Sequence, residues 1–206
     1  RIDLLEADHP SHFDIAKRTP ILTAQQTSCE GVKDPFVMRV DDTYHLLVSY
    51  APGKQLASEE ETKAMHATSD IYNTGLSKSS SGLATSQDGI HFDWHGDILK
   101  PSQDQWDCHA TRLGSIQAMP PVYVGFYDGG SSHLENYEEK TGIAVSLDLI
   151  HWQRLTHDGP YVVSPHATGS LRYLHPLELE NEWRYYYEYA RADGAHEIRM
   201  NRFPKH

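Results

Sequence analysis

The sequence predicts an all-β fold, a β-propeller whose blades are four antiparallel strands. Three observations lead to this prediction. A short turn followed by an aromatic, β-rich run occurs three times, a strand ending in a Ser-x-Asp turn occurs twice, and a further strand-like segment precedes each aromatic run. Repeats of this length that each supply one small sheet are typical of propeller blades. The 206 residues suffice for one globular domain.

The aromatic run gives the clearest repeat. Its three copies cover 42–50, 121–128 and 182–189, and they start about 79 and 61 residues apart. Aromatic residues stand at alternate positions in each copy, which is typical of a strand with one packed face. The chain contains 12 Tyr, a residue that suits half-buried strands.

The second repeat covers 82–94 and 142–152. Each copy is a strand, a Ser-x-Asp turn in which Asp can bond its own backbone, and a tryptophan, Trp94 or Trp152, that we expect in the core. Residues 2–22 have the same outline. The segments 97–99 and 161–163 are the expected outer strands.

The segments 34–40, 109–116 and 170–174 read as inner strands. Together the repeats predict one propeller domain over 1–206 that covers three to four blades. The blades are a partial one at 1–24, two complete ones at 31–100 and 106–163, and a partial one at 168–206. Because a blade buries its faces only against neighbours, we expect an N-terminal part to precede this chain.

Loop lengths point to one face of the propeller. The turns at 41–42 and 118–121 are tight, whereas the connections between second and third strands, at 52–81, 129–141 and 191–195, are long. Residues 58–63 and 135–140 are weakly helical or loop-like, and the serine-rich tract 77–81 is expected to be mobile. Long loops in compact domains are usually functional, so the predicted binding face is the one where inner strands begin.

Composition excludes several classes of partner. The net charge of -11 argues against nucleic acid and anionic membrane surfaces, which bind basic patches, and a neutral sugar is compatible with it. The sequence contains no run of 18 apolar residues, the length that a membrane-spanning helix needs, so we expect a soluble protein. Cys29 and Cys108 allow at most one disulfide, and free thiols are expected. The compartment and oligomeric state stay open.

Fourteen histidines do not follow the spacing of a zinc site. We therefore expect no metal and no cofactor, with an ion held by channel histidines of different blades as the alternative. Nucleotide-binding glycine loops and the Gly-x-Ser-x-Gly elbow are also missing from the sequence.

Three motifs resemble glycoside hydrolase families 32 and 43, which are five-bladed propellers. Lys33-Asp34-Pro35 is similar to their Arg-Asp-Pro motif, Trp106-Asp107-Cys108 to their Glu-Cys-Pro motif, and 144–152 to their Ser-x-Asp-Leu-x-x-Trp turn. The resemblance implies cleavage of a glycosidic bond by channel carboxylates of different pKa. It makes Asp34 the orienting carboxylate and Asp107 the proton donor, with a third carboxylate outside this sequence.

Two departures leave the proton donor open. Asp107 is one methylene shorter than the family's Glu, and His109 stands where the family has proline. The donor is therefore Asp107, His109 or an acidic residue of the loop 134–139. His109 and Arg112 lie three apart, on opposite faces of a regular strand.

The remaining predicted site residues would contact substrate. Arg112, His166 and Arg172 would bind sugar hydroxyls or a substrate carboxylate, and Trp106 would either stack on a sugar ring or pack in the core. Glu135 and Glu138 are further candidates on the long loop, and Glu188 is expected to form an ion pair within its blade.

The resemblance favours a glycoside hydrolase acting on a carbohydrate of unspecified identity and linkage. Two alternatives on the same fold are a non-catalytic carbohydrate-binding propeller and a glycoside phosphorylase, in which Arg112 and Arg172 would hold phosphate. A third alternative is a scaffold for a protein partner, which would show a broad face and no deep pocket.

Overall fold

The computed structural model describes residues 1–53, 58–68 and 70–205. Its strands are β1 Ile2–Leu4, β2 Thr19–Leu22, β3 Cys29–Val40, β4 Thr43–Pro52, β5 Ser80–Ser86, β6 Asp93–Leu99, β7 Ala110–Met119, β8 Val122–Gly130, β9 Lys140–Ser146, β10 Trp152–Arg154, β11 Leu171–Glu178, β12 Glu182–Ala190 and β13 His196–Pro204. Two helices, α1 Ala24–Thr27 and α2 Glu59–Ala67, and three 3-10 turns, Ile15–Lys17, Ile71–Thr74 and His133–Glu135, lie between them.

The strands form the predicted kind of blade. The order β3-β4-β5-β6 makes a first antiparallel blade, β7-β8-β9-β10 a second, and β11-β12-β13 three strands of a third. β1 and β2 pair separately. The prediction of an all-β fold with four-stranded antiparallel blades is confirmed, and the weakly helical segment 58–63 lies in α2 and its N-cap.

Adjacent blades are joined where their strands enter the binding face. The Ser81 hydroxyl donates to the Thr111 carbonyl and accepts the Leu113 N–H, both at 2.7 Å. One repeat later, the Thr141 hydroxyl donates to the Leu171 carbonyl at 2.8 Å. Buried hydroxyls thus satisfy backbone groups of the next inner strand, so the blades keep a fixed spacing around this face.

The core divides on the two faces of β4. Leu46 and Leu47 are adjacent in sequence and both 0% exposed, yet they belong to different clusters because successive side chains of a strand point to opposite faces. Leu46 packs with β1 and β2, whereas Leu47 packs with the second blade. Trp94 and Trp152 each pack against one of these clusters, as the sequence predicts.

Two local predictions are wrong. The serine-rich tract is not a mobile loop: Ser79 and Ser81 are 2% and 0% exposed, because small hydroxyl side chains fit where two blades approach and find partners there. The outer strand of the second blade is β10, directly after the turn, and Val162 of the predicted segment makes only an isolated bridge to Thr141.

The two Ser-x-Asp turns are built identically. Asp88 accepts the N–H groups of the second and third following residues and contacts the ring of His91 at 2.7 Å. Asp148 makes the same contacts, with His151 at 2.7 Å. The histidine and backbone hydrogen bonds lower the pKa of both aspartates well below its usual range.

Over the described ranges, every helix is too short or too polar to cross a membrane. Cys29 and Cys108 are both free thiols and are half-buried.

Candidate functional site

The long connections gather on the face where the inner strands enter. The β4–β5 connection carries α2 and the turn Ile71–Thr74, and the β8–β9 connection carries the turn His133–Glu135. The two connections touch, because the Asn136 side chain donates to that of Asn73 at 2.6 Å. Lys33 of β3 also reaches this region, with its Nζ 2.7 Å from Asp70 Oδ2.

Each inner strand is interrupted by a bulge at the same depth. The interruptions fall between Lys33 and Phe36 in β3, Leu113 and Ser115 in β7, and Arg172 and His175 in β11. Asp34 and Tyr173 occupy two of them with φ of 51° and 54°. Positive φ is uncommon for residues other than glycine, and bulges redirect side chains. Asp34 therefore lies within β3, which begins earlier than predicted, at Cys29.

Three positions recur in the three blades around these bulges. In each blade a cation close before the bulge pairs across to the second strand: Lys33 with Ser49, Arg112 with Asp128, and Arg172 with Glu188. The second-strand residues pair in turn with Ser81, Thr141 and Ile198 on the third strands. In the chain, Ser79, Glu139 and His196 lie two residues before these partners. Each blade thus has three equivalent positions: one before the bulge, one on the second strand and one at, or directly before, the start of the third.

Arg112 is the centre of the site. The residue is 4% exposed. Its Nη2 lies 2.6 Å from Glu139 Oε1 and 3.9 Å from Asp128 Oδ2, and its Nη1 lies 3.5 Å from Asp34 Oδ2. Burial alone would lower the pKa of Arg112, but the three carboxylates raise it above its ordinary value. The guanidinium is therefore a fixed positive charge.

Glu139 links two blades. Its other oxygen, Oε2, accepts from Arg172 Nη1 at 2.7 Å, and Arg172 Nε donates to Glu188 at 2.7 Å. The Tyr173 ring lies beside both arginines, with its centroid 5.4 Å from Arg112 and 4.9 Å from Arg172. The ion pair predicted for Glu188 is present, and it continues into the centre of the site.

Asp128 is a carboxyl group in an unusual environment. It is 3% exposed and accepts the Tyr173 N–H at 2.9 Å. Burial raises the pKa of Asp128 to about 7, with Glu139 adding to the rise and Arg112 opposing it. Such a group can hold or release a proton near neutral pH.

A cavity of about 190 Å³ opens onto these groups, and its walls include Asp34, Ser49, Arg112, Asp128 and Tyr173. The Asp34 side chain is 33% exposed, whereas that of Asp128 is 5% exposed. Since both contact one planar guanidinium group, their carboxyl groups lie within about 10 Å of each other, which is no farther apart than glycosidase carboxylate pairs reach.

Asp107 lies away from this cavity. It is 0% exposed, and its Oδ2 contacts Arg154 Nε at 2.6 Å and accepts the Tyr127 hydroxyl at 2.9 Å. Trp106 donates its ring N–H to the Thr156 carbonyl at 2.8 Å and stacks on Tyr127 at 5.8 Å. This pair of neighbours thus contacts the interior of the second blade.

His109 is 8% exposed and shares a second, smaller cavity with Arg112 and Glu139. Burial lowers its pKa, helped by His133 and Lys78. The expectation that His109 and Arg112 lie on opposite faces holds only for a regular strand, and this condition is not met. β7 begins only at Ala110, so the alternation of a regular strand does not extend to His109.

The other predicted residues lie at the rim. His166 is exposed and touches only the edge of the Tyr189 ring, 6.1 Å between centroids. Glu135 accepts the Ser131 N–H at 2.6 Å, which with Lys140 lowers the pKa of Glu135 despite partial burial. Glu138 contacts His196 at 3.1 Å and accepts the Thr168 hydroxyl. The structure therefore brings together Asp34, Arg112 and Arg172, and leaves Asp107, Trp106 and His166 apart.

Sequence reasoning did not single out Asp128, Glu139 or Tyr173. Glu139 was included only as a member of the acidic loop. The repeat held a usable signal, because Asp128 follows the aromatic run of the second blade at the position of Ser49 in the first.

Metal ligation has no support from side-chain grouping. Across residues 1–53, 58–68 and 70–205, no group of three or more His, Cys, Asp or Glu side chains is placed to hold a metal ion.

This chain is similar in fold to solved structures of glycoside hydrolases. Zg3597, a family 117 glycoside hydrolase from the marine bacterium Zobellia galactanivorans, matches with a TM-score of 0.63 at 16% identity, over 84% of this chain and 52% of that chain. A sucrose-6-phosphate hydrolase from Lactobacillus gasseri matches with a TM-score of 0.56 at 15% identity, over 84% and 32%. The chain has the fold of the propeller glycoside hydrolases.

A glycosyl hydrolase from Bacteroides ovatus matches this propeller with a TM-score of 0.53 at 16% identity, over 78% of this chain and 45% of that one. The propeller thus spans between about a third and a half of the length of these three structures. No family model matches the chain, and no curated protein does.

Proposed function

We propose that this propeller hydrolyses glycosidic bonds in the cavity between Asp34, Arg112, Asp128 and Tyr173. One observation carries the proposal: two carboxyl groups, one half-exposed and one buried with a raised pKa, converge on a single guanidinium. Glycoside cleavage requires two carboxyl groups held in different protonation states by their environments.

In this proposal Asp128 is the proton donor. With a pKa raised to about 7, it keeps its proton at the pH at which an ordinary aspartate has lost it, and it can deliver that proton to the leaving oxygen. Asp34 is the orienting carboxylate, and its half-exposed side chain faces the positive charge that develops on the sugar ring. The Tyr173 ring, 43% exposed, offers an apolar face to the sugar.

In this proposal Asp107 and His109 take no direct part. Asp107 is held by Arg154 and Tyr127 within the second blade. The lowered pKa of His109 favours a neutral ring, which is a poor acid near neutral pH.

Hydrolysis is favoured over phosphorolysis by the charge of the site. Phosphate would need free cationic groups, but Arg112 and Arg172 both contact Glu139. Four carboxyl groups surround these two guanidiniums: Asp34, Asp128, Glu139 and Glu188. A further anion would meet repulsion in such a site.

Activity assays test the proposal directly. Aryl glycosides and oligosaccharides would be incubated with the full-length protein and with Asp34→Asn, Asp128→Asn and, as control, Asp42→Asn at the exposed β3–β4 turn. We expect both site variants to lose at least about 100-fold in kcat/KM, and the control to retain activity. Turnover that survives both site substitutions would overturn the assignment. Sugar binding without turnover in the parent would support the binding propeller instead.

Leaving-group dependence tests the role of Asp128. An aryl group that departs without protonation should rescue much of the activity of Asp128→Asn, but not that of Asp34→Asn. Equal losses on activated and unactivated substrates would exclude Asp128 as the proton donor.

A further inference from the structure

A second, smaller cavity shares Arg112 and Glu139 with the candidate site. Its volume is about 10 Å³, and Tyr72, His109, Arg112 and Glu139 are among the residues that line it. A cavity of this size accommodates one water molecule, provided that the walls offer polar partners.

Four buried polar atoms of these lining residues lack a hydrogen-bond partner within the described chain, and one of them, Arg112 Nη2, still contacts Glu139 Oε1 at 2.6 Å. Tyr72 Oη, His109 Nε2 and Arg112 Nε make no hydrogen bond to any residue that the structure describes. The three residues are 3%, 8% and 4% exposed. The two nearby hydroxyls of Ser49 and Ser79 bond to each other at 2.7 Å. Buried polar atoms are nearly always satisfied, so three such atoms around one small cavity point to a bound partner.

We propose that this cavity is a binding site for a single water molecule, which joins Tyr72, His109 and Arg112. Arg112 Nε can only donate, so the partner must accept from it. A neutral His109 ring has one accepting nitrogen, and a tyrosine hydroxyl can either donate or accept. Water satisfies all three together, whereas an anion would lie against the Glu139 and Glu135 side chains and a cation against Arg112.

The water would give Arg112 a hydrogen-bond partner at Nε, which has none within the described chain. Nη1 and Nη2 contact Asp34, Asp128 and Glu139. Tyr72 belongs to the 3-10 turn of the first blade, so the water also connects the first blade to the second. This site is independent of the reaction proposed above.

A crystal structure at atomic resolution, from crystals soaked in bromide, tests the proposal. The expected result is one spherical density peak within hydrogen-bond distance of all three atoms, without anomalous signal. A cavity without any electron-density peak would overturn the proposal. An anomalous peak would also overturn it, because it would show an anion in the site.

Water-oxygen magnetic relaxation dispersion tests the same site in solution. We expect Ala110→Val, which adds methyl groups to the cavity wall, to remove one long-lived water from the dispersion amplitude. Tyr50→Phe, a buried tyrosine outside this cavity, is the control and should keep the parent amplitude. If Ala110→Val does not fold, Tyr72→Phe replaces it and should shorten the residence time of that water. An amplitude and residence time unchanged in a folded cavity variant would refute the site.

Discussion

The first and second blades place the same three positions around the same face, but they fill them with different chemistry. In the first blade the Ser49 and Ser79 hydroxyls bond to each other at 2.7 Å, and Lys33, with 31% of its side chain exposed, reaches out to Asp70. In the second blade these positions hold Asp128, Glu139 and a buried Arg112.

The difference shows how equivalent positions of a repeated scaffold can differ in charge. Two hydroxyls satisfy one another without charge, so the first blade needs nothing further. Two buried carboxyl groups must have a counter-charge, because an unpaired buried charge is costly. Arg112 supplies it, while burial, with Glu139 adding to the effect, leaves Asp128 with a raised pKa. The proposed chemistry therefore uses positions at which the second blade departs from the first.

The largest expected effect is on the free energy of unfolding, when Arg112 of the second blade and Lys33 of the first blade are replaced in separate variants. Arg112→Met leaves Asp128 buried without a cation and Glu139 with Arg172 alone, and should lower the free energy of unfolding by about 3–5 kcal/mol. Lys33→Met removes a cation with 31% of its side chain exposed, and should cost less, about 1 kcal/mol. Chemical denaturation of the two variants measures the difference, and equal losses would show that the blades do not differ in this respect.

A smaller effect is expected in the pH dependence of stability. In the folded protein Asp128 keeps its proton up to a pKa of about 7, whereas in the unfolded chain it loses it near 4. Its protonated form thus contributes stability below pH 4 that is lost as the pH rises to 7. Asp128→Asn should remove this loss. Between pH 4.5 and 7 the free energy of unfolding of the variant should therefore rise by up to about 3 kcal/mol relative to that of the parent.

Ser49→Ala is the matched control for that measurement, because Ser49 holds the equivalent position without a titratable group. Its unfolding free energy should follow the same pH slope as the parent. If the unfolding free energy of Asp128→Asn has the same pH dependence as that of the parent, Asp128 does not titrate between pH 4 and 7.

The smallest effect should be equal in the two blades. Asp88→Asn and Asp148→Asn each alter an exposed turn that makes identical hydrogen bonds. The lowered pKa values of these aspartates mean that the contribution is present above pH 4 and is lost as the pH falls below it. Thermal unfolding at pH 7 should show small and similar decreases in Tm, and a large difference between the two would contradict the equivalence of the turns.

The blade architecture could be predicted because its signals are local. Alternating aromatics and Ser-x-Asp turns lie within single hairpins, so their spacing in the sequence maps directly onto strands. The candidate site could be predicted only in part. The sequence pointed to Asp34, Arg112 and Arg172. It did not show which carboxylates contact Arg112, because those contacts depend on strand bulges and on the β8–β9 loop, and neither leaves a periodic signal in the sequence.

Composition misled where burial depends on a neighbouring blade. The tract 77–81 has the composition of a flexible linker, yet Ser79 and Ser81 are buried because the second blade supplies partners for them. Asp107 shows the converse. Its motif resembles that of a catalytic acid, while Arg154 and Tyr127, distant in sequence, hold it in the interior.

Glu139 accepts from arginines of two different blades, through one oxygen each. Losing one of these arginines leaves Glu139 with the other, so the second loss, which removes its last cation, should cost more than the first. Contacting residues of this kind show non-additive mutational effects. The effect of a change at either arginine on this face therefore depends on whether the other arginine is present.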